Sequence, residues 1–342
     1  MSNSSNVDSH RIVSSSLLSD SEEQVENNLR PDNFTEVIGR KREKDNLQVM
    51  IQSALQRDAA LDHILFHGPP GLGKTSLAMV VAKEMGVPFH ITTGPAINKA
   101  GDLASILTTL EDRSILFIDE IHRLRHAVEE ILYPAMEDRA IDLVIGKGPS
   151  AKTLRLDLPQ FTIVAATTKM SMLSAPLRDR FGVDFRLDFY DNGELEEIVQ
   201  QKARKMELQI EPAAAAEIAS RARMTARIAV RILKRVRDLA VVSGKDVIDT
   251  EHVMQALEML DIDSEGLDTV DRKILHSIYY KFANKPVGLN TLAASISEEP
   301  ATVEDVYEPF LLRKGLLERT PRGRALTASG IEYMLNFASE VL

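Results

Sequence analysis

Residues 62–75 read DHILFHGPPGLGKT and join an apolar run to a glycine-rich loop. The apolar run predicts a buried strand, and the pattern G-x-x-x-x-G-K-T that follows predicts a phosphate-binding loop at the start of a helix. Glycines let backbone N–H groups approach phosphate oxygens, and the helix N-terminus adds its dipole. Lys74 would then reach the β- and γ-phosphates, and Thr75 would bind magnesium. The stretch therefore predicts a nucleotide-binding α/β domain.

Around this stretch, short apolar runs alternate with helical patterns from residue 62 to residue 187. Strands that alternate with helices predict a parallel sheet with helices on its faces. Residues 141–158 differ, because apolar residues two apart flank a turn rich in glycine and proline. Period two on both arms predicts a β-hairpin. Its apolar residues are Ile141, Leu143, Ile145, Leu154 and Leu156.

The second half of the chain has a different pattern. Residues 191–261 are helical throughout and predict a separate helical domain over residues 191–264. Residues 265–342 predict three helices, a small basic hairpin and a last helix, which is the order of a winged-helix module. The Ser/Asn-rich residues 1–28 predict a disordered tail, so the α/β domain would occupy residues 29–190.

Composition excludes several classes of protein. The 342 residues include no cysteine, which removes disulfides, thiol catalysis and thiolate metal sites and fits a cytoplasmic location. The longest apolar runs are far shorter than the roughly 20 residues needed to cross a bilayer. The formal net charge of -10 argues against nucleic acid wrapped over the whole surface. Screening confines a charge to about 10 Å, so a local basic patch can still bind DNA. Such a patch comprises Arg313, Lys314, Arg319, Arg322 and Arg324.

Two further strand ends carry candidate chemistry. In ILFIDE, residues 115–120, a buried strand would deliver Asp119 to magnesium, and Glu120 would polarise the attacking water. Thr167 and Thr168 end the apolar run FTIVAATT. They would orient that water or sense the γ-phosphate, or they are an ordinary polar strand end.

Three arginines have two interpretations each. Arg178 and Arg180 in PLRDRF are either surface charges, or one of them reaches the γ-phosphate of a neighbouring subunit as an arginine finger. Arg227, at the start of an amphipathic helix, is either one more solvated charge or a second sensor that closes over the nucleotide.

Together these motifs resemble the RuvB family, the Holliday junction branch-migration ATPases of the AAA+ class. The resemblance extends from residue 29 to the wing and includes GPPGLGKTS, LFIDEIHRL, YPAMED, PLRDRFG and TPRGR. It implies a P-loop AAA+ ATPase domain with a parallel sheet, an all-helical lid domain and a C-terminal winged-helix domain. The family usually reads Gly-Thr-Pro-Arg before the lid helix, where this chain has Met224-Thr-Ala-Arg227.

The resemblance implies a role for each matching residue. ATP and Mg2+ are the implied cofactors, with Lys74, Asp119, Glu120 and Thr168 as catalytic groups and Thr75 and Asp119 as metal ligands. Arg180 matches the arginine finger that acts in trans, because it occupies the position before Phe181. The implied nucleotide contacts are Leu29, Arg30, Gly71, Gly73, Lys74, Thr75, Ser76, Tyr190 and Arg227.

The resemblance also implies partners. The 141–158 hairpin would grip RuvA. Arg319, Arg322 and Arg324 would touch DNA from the wing, whose Thr-Pro-Arg-Gly turn would point all three outward. The expected assembly is a homo-hexameric ring on double-stranded DNA at Holliday junctions, with RuvA and the resolvase RuvC, in recombination and DNA repair.

Three functions compete on these residues. The first is an ATP-driven DNA motor, and the second is an ATP-switched DNA-binding regulator that does not translocate. A regulator needs neither a partner hairpin nor a trans arginine, and this chain has candidates for both. A protein unfoldase is disfavoured, because the segment GPAINKAGD after the second strand has no aromatic pore residue.

Overall fold

The apolar runs of residues 62–187 form one parallel sheet, as their alternation with helices predicts. In the computed structural model its strand order is β1-β3-β4-β7-β2-β8, and every neighbouring pair is parallel. The strands are β1 (Ser9–Arg11), β2 (Ile64–His67), β3 (Phe89–Thr93), β4 (Ile115–Asp119), β7 (Thr162–Thr167) and β8 (Val183–Arg186), and β5 (Ala140–Ile145) and β6 (Lys152–Asp157) form the hairpin.

The structure describes residues 9–11, 28–145 and 152–341. They divide into two compact units, Met1–Gly68 with Gly73–Asp188 and Pro69–Leu72 with Phe189–Leu342. Most of the predicted disordered tail lies outside the described residues, but Ser9–Arg11 pair as an edge strand with β3. The sequence Ser-His-Arg has no apolar periodicity, so the pattern gave no signal for this strand. No helix of the described residues is long and apolar enough to cross a membrane.

Helices cover the sheet of the first unit. They are α1 (Lys41–Gln56), α2 (Lys74–Met85), α3 (Ala100–Thr108), α4 (His126–Glu137) and α5 (Ala175–Arg178), with 3-10 turns at Gly94–Ala96, Ile121–Arg123 and Met170–Met172. Apolar side chains of α3 and α4 pack with Leu116 and Ile163 of the sheet in one buried cluster. Burial on both faces explains why these strands read as continuous apolar runs.

The second unit holds the lid helices and a winged helix. The lid comprises α6 (Asn192–Lys205), α7 (Pro212–Arg221), α8 (Ala226–Ser243) and α9 (Thr250–Met259), with the short parallel strands β9 (Gln209–Ile210) and β10 (Val247–Ile248). The winged helix comprises α10 (Thr269–His276), α11 (Leu289–Ile296), α12 (Pro300–Thr302), α13 (Glu308–Arg313), β11 (Leu317–Thr320), β12 (Gly323–Leu326) and α14 (Ala328–Val341). Single π-helical turns, Ser277–Lys281 and Val303–Tyr307, follow α10 and α12.

A buried arginine joins the lid to the winged helix. Arg223, in the turn before α8, donates to both carboxylate oxygens of Asp271 at 2.6 and 3.1 Å and to Asp268 at 2.7 Å. Asp268 caps the N-terminus of α10, and the Arg223 guanidinium lies 4.7 Å from the centre of the Phe310 ring. The side chain of Asp271 is fully buried. This ion pair therefore fixes the first helix of the winged helix to the turn before α8.

We expect Arg223→Leu to lower the free energy of unfolding by about 3–5 kcal/mol, because it leaves the Asp271 carboxylate buried without its partner. Arg235→Leu is the matched control, since Arg235 also pairs with an aspartate, Asp238 at 3.3 Å, but is 63% exposed. An exposed pair contributes about 0–1 kcal/mol. Urea unfolding of both variants measures the difference, and equal losses would contradict the role given to burial.

Candidate nucleotide site

The phosphate loop is shaped by glycines at positive φ. Gly68, Gly71 and Gly73 have φ of 140°, 80° and 87°, a region that side chains with a Cβ rarely adopt. A Cβ at Gly68 would also lie 2.3 Å from the carbonyl oxygen of Leu187. Lys74 is nearly buried, and its Nζ donates to the carbonyl oxygen of Gly68 at 2.9 Å. The ammonium group is thus held over the loop at the N-terminus of α2, where an anion binds best.

The predicted acid pair ends β4. Asp119 is the last residue of the strand, and Glu120 turns the chain with a left-handed φ of 49°. The Glu120 N–H donates to Asp119 Oδ1 at 2.9 Å, and the Glu120 carboxylate pairs with Arg123 Nη1 at 3.0 Å. The backbone carbonyl of Glu120 passes so close to Gly94 that a Cβ there would lie 2.4 Å from it. The close approach to Gly94 and the left-handed conformation of Glu120 together fix the turn that carries the two carboxylates.

The two threonines at the end of β7 have different environments. Thr167 is buried, shares a hydrogen bond of 3.0 Å with His122 Nδ1 and accepts another from the N–H of Lys169. Its hydroxyl therefore has a structural role. Thr168 follows the end of β7 and is half-buried. Because β7 lies between β2 and β4, Thr168 stands between the phosphate loop and the acid pair, where a group that senses the γ-phosphate is needed.

Four predicted nucleotide contacts of the first unit lie in α2 or pack against it. Thr75 and Ser76 occupy its first turn and are half-buried. Leu29 is buried, and Arg30 Nη1 lies 2.7 Å from Met79 Sδ, so the segment of residues 29–30 packs against the same helix. These positions agree with a nucleotide whose phosphates meet the helix N-terminus.

Two predicted contacts lie in the second unit. Tyr190 is buried, and its hydroxyl donates to the carbonyl oxygen of Leu72 at 3.2 Å. Arg227 is exposed in the first turn of α8, and its N–H donates to the carbonyl oxygen of Gly71 at 3.3 Å. Met224 before it has a left-handed φ of 56°. Glycine adopts that conformation more readily than methionine does, so the Met224 backbone carries strain in this turn.

Arg180 is held by α4. Its Nη2 pairs with Glu137 Oε2 at 2.9 Å, its Nη1 donates to the carbonyl oxygen of Pro176 at 2.7 Å, and its guanidinium lies 4.6 Å from the centre of the Tyr133 ring. Arg178, the other candidate finger, is exposed. The motif alone gave no signal for Tyr133 or Glu137 as partners, although their spacing of four places them on one helix face.

One hairpin residue that was predicted to contact a partner is buried in the first unit. Ile141 is fully buried with the core of the first unit, and Leu156 is half-buried against it. The prediction that Ile141 contacts a partner is therefore corrected, because its side chain has no accessible surface. Leu154 is 44% exposed. The side chains of Leu143 and Ile145 lie outside the described residues.

Two arginines of the wing form ion pairs with glutamates of the winged helix. Arg319 and Arg324 face each other across β11 and β12, and both bond to Glu308, whose carboxylate is almost fully buried. Arg324 also pairs with Glu304 at 3.3 Å and is only 15% exposed. The hydrogen bond to Glu308 raises the pKa of Arg319.

The prediction that the wing turns all three arginines outward is thus wrong for Arg324. Its position next to the buried carboxylate of Glu308 could not be predicted from the run of basic residues. Arg322, at the tip of the hairpin, is exposed.

The phosphate loop, the acid pair and the helical lid define the class of AAA+ P-loop ATPases, and the chain is an ATP hydrolase of that class. Three family models match consecutive parts: the Holliday junction DNA helicase RuvB P-loop domain at residues 29–187, the RuvB AAA lid domain at 190–263 and the RuvB C-terminal winged helix domain at 264–335. The chain belongs to the RuvB family.

Curated relatives and solved structures agree with this family. The Holliday junction branch migration complex subunit RuvB of Clostridium kluyveri is 55% identical over 310 residues, which is 91% of this chain and 89% of that protein. The same subunit from Dehalococcoides mccartyi is 53% identical over 95% of this chain and 93% of its own length. The structure of the Thermotoga maritima RuvB Holliday junction branch migration motor is 47% identical, has a TM-score of 0.82, and matches 90% of this chain and 98% of that one.

We expect Glu120→Gln to bind ATP normally and to lose hydrolysis by about 10²- to 10⁴-fold, the usual contribution of a general base. Lys74→Ala should weaken nucleotide binding or turnover, because it removes the charge over the loop. Glu111→Gln, an exposed glutamate before β4, is the control and should leave both unchanged. Phosphate release and fluorescent-nucleotide binding measure the two effects, and near-normal turnover by Glu120→Gln would refute its assignment.

Proposed function

We propose that this chain is the ATP-driven motor of Holliday junction branch migration. Membership of the RuvB family supports the motor, together with one structural observation. Lys74, Asp119 and Thr168 meet at the same edge of the parallel sheet, where a γ-phosphate would be handled. A winged helix in the second unit supplies a DNA-binding module. The chain would act as three domains, residues 29–190, 191–264 and 265–342.

The geometry supports hydrolysis by direct attack of water on the γ-phosphorus. Glu120 would take the proton of the attacking water while the bond from the γ-phosphorus to the bridging oxygen breaks. Lys74 would stabilise negative charge on the β- and γ-phosphates. The Thr75 hydroxyl and the Asp119 carboxylate are oxygen donors of the kind that magnesium prefers, and the bound ion would neutralise charge on the same phosphates.

The remaining nucleotide contacts would come from residues 29–30, the phosphate loop and the lid. Leu29 and Arg30 would lie on the adenine side, and Gly71, Gly73 and Ser76 would contact phosphates. Tyr190 and Arg227 would close over the nucleotide from the lid, since both already bond to the carbonyls of the loop residues Gly71–Leu72.

Arg180 would act in trans within a homo-hexameric ring. An arginine finger spreads positive charge over the transferred phosphoryl group and is typically supplied by a neighbouring molecule. Arg180 is the better candidate than the exposed Arg178, because its guanidinium is held in one geometry. The partners would be RuvA, bound by the hairpin, RuvC within the larger complex, and duplex DNA at the junction, in the cytoplasm.

A four-way junction assay tests the whole proposal. The chain, RuvA and ATP together should convert a labelled junction into two duplexes, and ATP hydrolysis should rise when RuvA and junction DNA are added. Nucleotide-dependent DNA binding without any conversion would favour the regulator instead. No binding of junction DNA with RuvA present would refute both.

We expect Leu154→Asp to keep a folded ATPase and to lose association with RuvA, because Leu154 is exposed on the hairpin. Ile141→Asp is the contrasting variant, since a charge placed at a fully buried site should unfold the protein. Thermal unfolding and pull-down with RuvA separate the two effects. Intact association in Leu154→Asp would mean that the partner docks elsewhere.

We expect Arg322→Ala to weaken DNA binding equally for unrelated sequences and to reduce the salt slope by about 0.9 for a lost phosphate contact. Thermal stability should not change, because Arg322 is exposed at the tip. Arg324→Ala should instead lower stability, since it leaves the buried Glu308 with one partner fewer. Fluorescence anisotropy on two duplexes over a salt series, beside thermal unfolding, measures both. An unchanged slope in Arg322→Ala would exclude Arg322 as a phosphate contact.

A further inference from the structure

Three side chains on one face of α4 lie beside the arginine finger candidate. Glu129, Tyr133 and Glu137 are four residues apart, so they follow one another along the helix face. Tyr133 places its ring under the guanidinium of Arg180, and Glu137 pairs with its Nη2. None of the three is needed for nucleotide binding in the chemistry above. Their shared target is Arg180.

The contacts that hold the Arg180 guanidinium leave some of its N–H donors available. A guanidinium carries five N–H groups, and each Nη has two of them. In the structure Nη1 gives one to the Pro176 carbonyl and Nη2 gives one to Glu137. One N–H therefore remains on each Nη for a phosphate oxygen, without release of Glu137. The arrangement fixes the direction of the finger and keeps its donors usable.

A second layer fixes the ring itself. The Tyr133 hydroxyl donates to Glu129 Oε2 at 3.0 Å and lies 3.0 Å from Ser174 Oγ. Ser174 Oγ donates to the same carboxylate at 2.6 Å and accepts from the N–H of Leu177, so it caps the N-terminus of α5. Glu129 is buried, and burial raises the pKa of the Tyr133 hydroxyl. The same network thus holds the ring and the short helix that leads to Arg180.

The chain segment that contains α4 begins at the acid pair. Glu120 is followed by the 3-10 turn Ile121–Arg123 and then by α4, whose apolar side packs in the core. One continuous segment therefore carries the general base of its own site at one end and the support of Arg180 at the other. A shift of this segment moves both.

We propose that Tyr133 and Glu137 are positioning residues for Arg180, so that α4 sets how strongly one subunit assists hydrolysis in its neighbour. The proposal rests on the trans role of Arg180 under the proposed function. The simpler role, packing of α4 within its own domain, predicts a defect confined to the subunit that carries the substitution.

Mixed rings test this directly. Tyr133→Leu removes the ring face and the hydroxyl, and kcat in homogeneous rings should fall about 10- to 100-fold. A finger contributes about 10³- to 10⁵-fold, and a displacement of about 1 Å can cost about 10²-fold. KM for ATP should stay within about twofold, since the phosphate loop is unchanged. Tyr133→Phe keeps the ring and should retain more activity than Tyr133→Leu.

Lys74→Ala subunits, themselves inactive, carry an intact Arg180. Added to Tyr133→Leu subunits, they should raise ATP turnover, because a defective finger is replaced at some interfaces. Arg180→Ala subunits mixed in the same way are the reference, and rings purified through two different tags confirm mixing. Glu137→Gln is the second test variant. Glu130→Gln is its matched control, because Glu130 lies on the same helix, is exposed and pairs with His126 at 3.4 Å.

The proposal is supported if ATP turnover rises when Lys74→Ala subunits are mixed with Tyr133→Leu subunits and also when they are mixed with Arg180→Ala subunits. A rise in ATP turnover with Arg180→Ala subunits alone overturns the proposal but supports the trans role of Arg180, since α4 would then act within its own subunit. Recovery by neither overturns the trans role of Arg180 and the proposal with it. Normal kcat in both Tyr133→Leu and Glu137→Gln rings also overturns it. If Tyr133→Leu unfolds, the same mixing experiment with Glu137→Gln subunits carries the test.

Discussion

Parallel pairing of buried strands is the constraint on which the rest of this structure depends. In a parallel sheet all carboxyl ends meet at one edge, so the register decides which residues become neighbours there. His67 pairs with Thr167 and Thr93 pairs with Asp119, while β7 lies between β2 and β4. The phosphate loop, the acid pair and Thr168 are distant in sequence. They form one site because three backbone ladders end together.

Backbone conformation completes what the sheet begins. Glycines at positive φ open the phosphate loop, and Glu120 leaves β4 in the left-handed region. Met224 holds the same conformation before the lid helix, without glycine. A non-glycine residue in this region carries a cost of order 1–3 kcal/mol unless its surroundings fix it, and such residues concentrate where a site needs a particular direction. Both turns in this chain carry a group proposed to touch the nucleotide or the water.

Arginines that look alike in the sequence have different environments in the fold. Arg223 is buried between two carboxylates and an aromatic ring, and it joins the lid to the winged helix. Arg324 is fixed to the buried Glu308, whereas Arg322 is exposed. Arg180 is held by a carboxylate and a tyrosine ring. Burying a charge requires a partner, so Arg223 and Arg324 have structural roles, whereas the exposed Arg322 is available to a ligand.

The sequence by itself determined the parallel α/β sheet, the hairpin, the helical lid, the winged helix and the identity of the loop and acid residues. Those features depend on short-range patterns: period two or 3.6, apolar runs between helices, and glycines at fixed spacing. Only the tertiary structure decided that Thr167 bonds to His122, that Ile141 belongs to the core, that Arg324 faces Glu308 and that Tyr133 lies under Arg180. Each of these depends on which side chains meet across elements far apart in the chain. Local patterns carry no information about such contacts, because burial and pairing are set by packing and not by spacing.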